Sequence, residues 1–118
     1  MQTVNGIGGV FFRAKDPQAL SAWYETHLGV NHYDPMPWKQ REGYTVIAPF
    51  EQDTKYFGRA DQQWMINFRV DDLAAMIAQL EAAGITVETD PDWDSEVGKF
   101  ARIHDPEGNP IELWQPNQ

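Results

Sequence analysis

Gly9-Val10-Phe11-Phe12-Arg13-Ala14, closed by Lys15-Asp16-Pro17, returns further along the chain as Met65-Ile66-Asn67-Phe68-Arg69-Val70, closed by Asp71-Asp72. Both stretches alternate as a strand does, so Val10, Phe12 and Ala14 share one face and Gly9, Phe11 and Arg13 the other. Each runs into a helix signal. Asp16 stands as an N-cap with Pro17 at the first helical position, where its missing N–H costs nothing, and Asp72 takes the capping place in the second copy. Leu20, Trp23, Tyr24, His27 and Leu28 then recur at helical spacing up to Gly29, as Leu73, Met76, Ile77 and Leu80 do up to Gly84. Arg13 maps onto Arg69 and Asp16 onto Asp72 at an offset of 56 residues, and Gly29 onto Gly84 at 55. The chain is an internal repeat.

Short β-rich pieces follow each helix, at 30–33, 38–40 and 44–47 in the first half and at 85–88, 99–104 and 111–115 in the second. Each half reads βαβββ. Residues 51–63 are polar and contain Gly58, which makes them a connection. The expected organisation is a single domain over 1–118, with a first module at 1–55, a link at 56–63 and a second module at 64–118. Modules of about 55 residues are too small to stand alone, and each leaves one sheet face uncovered once its helix packs on the other. The expected class is therefore α+β: two paired βαβββ modules forming a cupped mixed sheet with the helices outside. Val10, Phe12, Ile66, Phe68 and Val70 are expected beneath the helices. The concave face would carry Gly9, Phe11 and Arg13 beside Met65, Asn67 and Arg69, the kind of surface that holds a small organic ligand.

Composition narrows the partners. The 118 residues are 42% hydrophobic and 23% charged, outside the regime of disordered chains. Eighteen Asp plus Glu against nine Lys plus Arg leave a net charge of −9, so nucleic acid and anionic membranes are not expected partners. No cysteine is present, which removes disulfides, thiolate nucleophiles and Cys-based metal sites. The first residues, MQTVNGIGGVFF, lack a basic region followed by a long apolar run, and a cytoplasmic protein is expected. Nothing matches a Ser-His-Asp order, a P-loop or a dinucleotide fingerprint.

Residues 104–114 join turn chemistry, Asp105-Pro106-Glu107-Gly108, to the alternating strand Ile111-Glu112-Leu113-Trp114. DPEGNPIELWQP resembles the closing turn and strand of the vicinal oxygen chelate superfamily, which includes glyoxalase I, extradiol dioxygenases, fosfomycin-modifying enzymes and bleomycin-resistance proteins. The repeated strand, capping Asp, helix and Gly resemble its paired βαβββ modules over nearly the whole chain. That scaffold hosts many chemistries. The resemblance implies, for metal-dependent members, a His or Gln from the first strand of each module and a glutamate from each last strand. Those places fall here on Gly9, Met65, Thr45 and Glu112. A single carboxylate does not hold catalytic Mg²⁺, Fe²⁺ or Zn²⁺ without further protein ligands, so neither a metal nor another cofactor is expected. The resemblance to glyoxalases also sets Arg13, four residues after Gly9, where a substrate carboxylate is contacted, with Arg69 as its repeat. Two guanidinium forks in one concavity would grip a carboxylate; alternatively they neutralise Glu112 and neighbouring acids.

Other conspicuous residues have plainer readings. His27 is a cation at a helix C-terminus, and His32 and His104 are surface or turn donors. Glu88, Asp90, Asp92, Asp94 and Glu96 mimic the start of a calcium loop, but Ser95 and Ala101 stand where Gly and Glu are needed, which leaves a solvated acidic loop held by Pro91 and Trp93. Trp23 belongs to a helix's core face, and Trp38 and Trp93 to a rim. The leading functional reading is a protein that binds a small organic ligand through Phe11, Arg13, Asn67, Arg69 and Trp114. Its alternatives are a metal-free glyoxalase-like lyase or isomerase with Glu112 as general base, and a drug-sequestering resistance protein. A homodimer is the expected assembly.

Overall fold

In the computed structural model, residues 1–31 and 36–117 are described. The elements run α1 (Pro17–Leu28), β1 (Ile66–Arg69), α2 (Leu73–Ala82), a 3-10 turn (Pro91–Trp93), β2 (Gly98–His104) and β3 (Pro110–Pro116). Both helices start as their sequences dictate. Asp16 accepts from the Ala19 amide at 3.1 Å and Asp72 from the Ala75 amide at 3.0 Å, each satisfying one of the amides that a helix start leaves unpaired. Gly29 ends α1 in the left-handed region at φ 72°, where its amide reaches back to the Glu25 and Tyr24 carbonyls. None of the helices among the described residues is long and apolar enough to cross a membrane.

The sheet has the order β1-β3-β2. β3 pairs with β1 in parallel, Ile66 beside Ile111 and Arg69 beside Trp114, and with β2 antiparallel, Phe100 beside Trp114 and Ala101 beside Leu113. Alternation sends Ala101, Ile103, Ile111 and Leu113 to one face, where they are buried against Leu20 and Tyr24 of α1 and Leu73 and Leu80 of α2. Ile66, Phe68, Val70, Met76 and Ile77 pack against the edge of this core, as their spacing predicts.

The turn at 104–110 also anchors α1. Asp105 accepts from the Glu107 and Asn109 amides at 2.8 and 3.0 Å, and its second oxygen takes the Tyr24 hydroxyl at 2.7 Å. Burial, helped by this carboxylate, pushes the Tyr24 phenol up, so it stays a proton donor. Glu107 accepts from the Lys15 and Asp16 amides at 2.7 and 3.0 Å.

The second repeat thus forms β1, α2, β2 and β3, while its piece at 85–88 is reduced to one bridge, Glu88 with Arg102. In the first repeat α1 forms, but the stretches at 9–14, 38–40 and 44–47 are not strands. The expected piece at 30–33 runs into residues outside the described ones, and His32 lies there too. Val10 and Phe12 are exposed instead of lying under the helices, Phe12 leaning on Trp64 with ring centres 4.9 Å apart. Alternation decides which faces a segment can present, but a strand also needs a neighbour offering amides and carbonyls in register. Residues 41 and 44 give their carbonyls to the Arg69 guanidinium instead, at 2.9 and 3.2 Å.

Candidate functional site

The sheet face away from the helices carries the polar side chains of the odd-and-even alternation. On β3 these are Glu112 and Trp114; the registers set Asn67 and Arg102 on either side of Glu112, and Arg69 and Phe100 on either side of Trp114. Asn67 Nδ2 donates to Glu112 Oε1 at 2.8 Å, and the Tyr56 hydroxyl donates to Glu112 Oε2. Tyr56 comes from the connection, not from the sheet. Burial and the Glu112 carboxylate push its phenol up to about 12 against the opposing pull of Arg102, so it remains protonated and donating. Phe100 and Trp114 lie nearly parallel, 3° apart with centres at 6.3 Å, and Trp114 Nε1 donates to the Val97 carbonyl at 2.9 Å.

A cleft of about 1430 Å³ opens between this face and the 38–47 segment. Trp38, Trp64, Phe68 and Trp114 supply aromatic wall, Phe11 and Tyr44 lie exposed at its rim, and Asn67 and Arg69 contribute polar groups. Arg69 braces the cleft: both of its terminal nitrogens donate to main-chain carbonyls of the facing segment. Gly43 permits this, since a Cβ there would stand 1.7 Å from Arg69 Nη1. Of the residues singled out from sequence, Phe11, Asn67, Arg69 and Trp114 line the cleft, while Glu112 and Arg13 do not. Arg13 is exposed and is not among the residues lining the cleft, whereas the Arg69 guanidinium is held by two carbonyls. The first repeat contributes no strand beside β1, so nothing holds Arg13 there.

The four places that the family resemblance makes metal ligands offer a poor donor set. Gly9 is exposed and offers no side chain, Met65 offers a thioether and Thr45 a hydroxyl, and both oxygens of Glu112 are already hydrogen-bonded. Among the described residues no three His, Cys, Asp or Glu side chains gather as a metal site. These residues do not fit a divalent cation. The acidic loop uses its carboxylates locally: Asp90 accepts from the Asp92 amide at 2.9 Å and Asp94 from the Phe100 amide at 3.2 Å. His104 faces Glu88 at 3.7 Å, on the exposed end of β2.

Sequence reasoning passed over Tyr56, Phe100 and Arg102, and placed Trp93 only at a rim. Phe100 and Arg102 carried a usable signal: a hairpin closed at His104 and Pro110 puts Arg102 opposite Glu112. Tyr56 carried none, because only the path of the connection brings it to the sheet.

The family model for a glyoxalase-like domain matches residues 9–114. The chain belongs to this family. The glyoxalase-like domain shares its fold with TnmS3, an antibiotic binding protein from Streptomyces sp. CB03234, at a TM-score of 0.65 and 20% identity over 99% of this chain and 100% of that one. A glyoxalase/bleomycin resistance protein from the same Streptomyces strain is 31% identical over 46% of each chain, at a TM-score of 0.40. No curated protein matches the chain.

Proposed function

We propose that this glyoxalase-like domain binds a flat, largely apolar organic molecule in the cleft between the sheet and the 38–47 segment. The observation that carries the reading is the cleft itself, about 1430 Å³ with Trp38, Trp64, Phe68 and Trp114 in its wall and the exposed Phe11 and Tyr44 at its rim. Ligand sites are typically concave and apolar, with a few placed polar groups, and a volume above the usual range suits a polycyclic ligand. Asn67 and Trp114 stand in this wall, with Phe11 at its mouth. Antibiotic binding by TnmS3 makes sequestration of a drug-sized molecule the natural form of this role. No step through a metal is part of it, since the family's ligand places hold Gly9, Thr45, Met65 and Glu112.

A second reading, a glyoxalase-like lyase or isomerase with Glu112 as general base, is favoured by one observation: Asn67 and Tyr56 orient the Glu112 carboxylate. Against it, both carboxylate oxygens are already taken up by these hydrogen bonds, and Glu112 does not line the cleft.

The test is a thermal-shift and tryptophan-fluorescence screen of polycyclic aromatic compounds, run on the wild type, Phe11→Ala and Trp38→Ala. Stabilisation of the wild type is expected, with affinity reduced at least about tenfold in each variant, as for the loss of an aromatic contact. Failure of every compound to stabilise the wild type, or binding indifferent to both substitutions, overturns the reading.

A further inference from the structure

Next to Glu112 stands a cation that the cleft does not account for. Arg102 faces Glu112 across the β2–β3 register, and its guanidinium carbon lies 4.1 Å from the centre of the Tyr56 ring and 5.2 Å from that of Trp93. The two rings meet edge to face, 81° apart at 6.2 Å, and fix the guanidinium plane between them. Nε and Nη2 of Arg102 are buried, and neither has a hydrogen-bond partner. Those two atoms share one edge of the group. Nη2 is trans to Cδ, so the Nε–H and Nη2–H bonds run parallel, the arrangement that grips both oxygens of a carboxylate.

Each neighbouring acid is engaged elsewhere. Glu112 has one oxygen on Asn67 and the other on Tyr56. Glu88, bridged to Arg102 through the backbone, turns its carboxylate to His104, and Asp94 holds the Phe100 amide. Two bare, shielded donors on a half-buried arginine are costly, and an acceptor from outside would satisfy both. The other arginines are placed differently: Arg69 is committed to two carbonyls, Arg41 and Arg59 pair with Asp71 and Asp61, and Arg13 is exposed.

We propose that Arg102 is the anion-recognition residue of this protein, its Nε–Nη2 edge taking the carboxylate, or an equivalent planar two-oxygen anion, of an aromatic ligand. The assignment rests on the small-molecule reading above and extends it to the chemical class of the ligand: Arg102 does not itself line the cleft but shares the sheet face of Asn67, on the other side of Glu112, so the ligand's anionic end would lie beyond the cleft wall. On this proposal the ligand reaches that edge by displacing the Tyr56 ring. That ring is carried by turns closed through the Thr54, Gly58 and Gln62 amides, not by the sheet, so it can be displaced without breaking the ladder.

Benzoate and its uncharged counterpart benzamide separate the two claims. Each is titrated into the full chain as wild type, Arg102→Lys and Arg102→Gln, followed by tryptophan fluorescence. Benzoate is expected to bind the wild type more tightly than benzamide does and to lose at least about tenfold in both variants, Lys included, because an ammonium cannot form the fork. Benzamide affinity is expected to stay unchanged. A measurement without substitution supplements these: in the wild-type ¹H–¹⁵N spectrum the Arg102 Nε–H resonance should move downfield with benzoate and stay in place with benzamide. Equal benzoate affinity in wild type and Arg102→Lys, or a stationary resonance, overturns the assignment. Benzamide binding without any benzoate preference sinks Arg102 alone, whereas failure of both probes on the wild type sinks the small-molecule reading with it.

Discussion

Gly98 opens β2 at φ +143°, and a Cβ there would stand 2.2 Å from the Gln115 carbonyl oxygen and 2.7 Å from Trp114 Nε1. Trp114 uses that nitrogen to hold the Val97 carbonyl, so a side chain at 98 disturbs the strand pairing and the cleft wall together. Gly98→Ala is expected to destabilise the chain by about 3 kcal/mol, through strain and overpacking, in urea unfolding. A loss below about 0.5 kcal/mol would mean that β2 and β3 part easily at this end. Residues of this kind are half legible. The turn chemistry of Asp105 and Glu107 can be read from DPEG, because it concerns neighbours in sequence. Their second duties, receiving the Tyr24 hydroxyl and the Lys15 and Asp16 amides, depend on where α1 lands.

Both helices are specified by signals lying within a dozen contiguous residues: a capping Asp, an apolar stripe and a glycine after the last turn. Their caps are separable from the packing. Asp72→Ala is expected to cost about 1 kcal/mol, the usual value of an N-cap side chain. Asp16→Ala should cost a similar amount, since the Glu107 contacts to the Lys15 and Asp16 main chain persist in it. Thermal unfolding of the two single variants decides this. An Asp16→Ala loss several times that of Asp72→Ala would show that the cap side chain also holds the turn at 104–110. The strands are less legible than the helices. The stretches at 9–14 and 65–70 have the same alternation, yet only the second lies beside β3 and completes a ladder.

For the molecule as a whole, the apolar residues of the unladdered first half stay in solvent: Phe11 is 96% exposed, Tyr44 89% and Ile47 75%. A surface of this kind is costly for a monomer, and we expect a second copy of the chain to cover it. Light scattering should give a dimer at micromolar concentration, and Ile47→Ser combined with Val46→Ser should shift it to monomer without unfolding the sheet. A wild-type monomer at every concentration tested would refute this.

Periods of 3.6 and 2 within short windows placed α1 and α2 and told which side chains of β1 face the helices, because those preferences act between near neighbours in the chain. The closing DPEGNPIELWQP strand pointed to the family for the same local reason. The tertiary structure alone left Arg13 out of the cleft, brought Tyr56 across from the connection to Glu112, and committed Arg69 to the Arg41 and Tyr44 carbonyls. Each of these joins residues far apart along the chain. Their energies are set by which segments share an edge of the sheet, and no local periodicity records that choice.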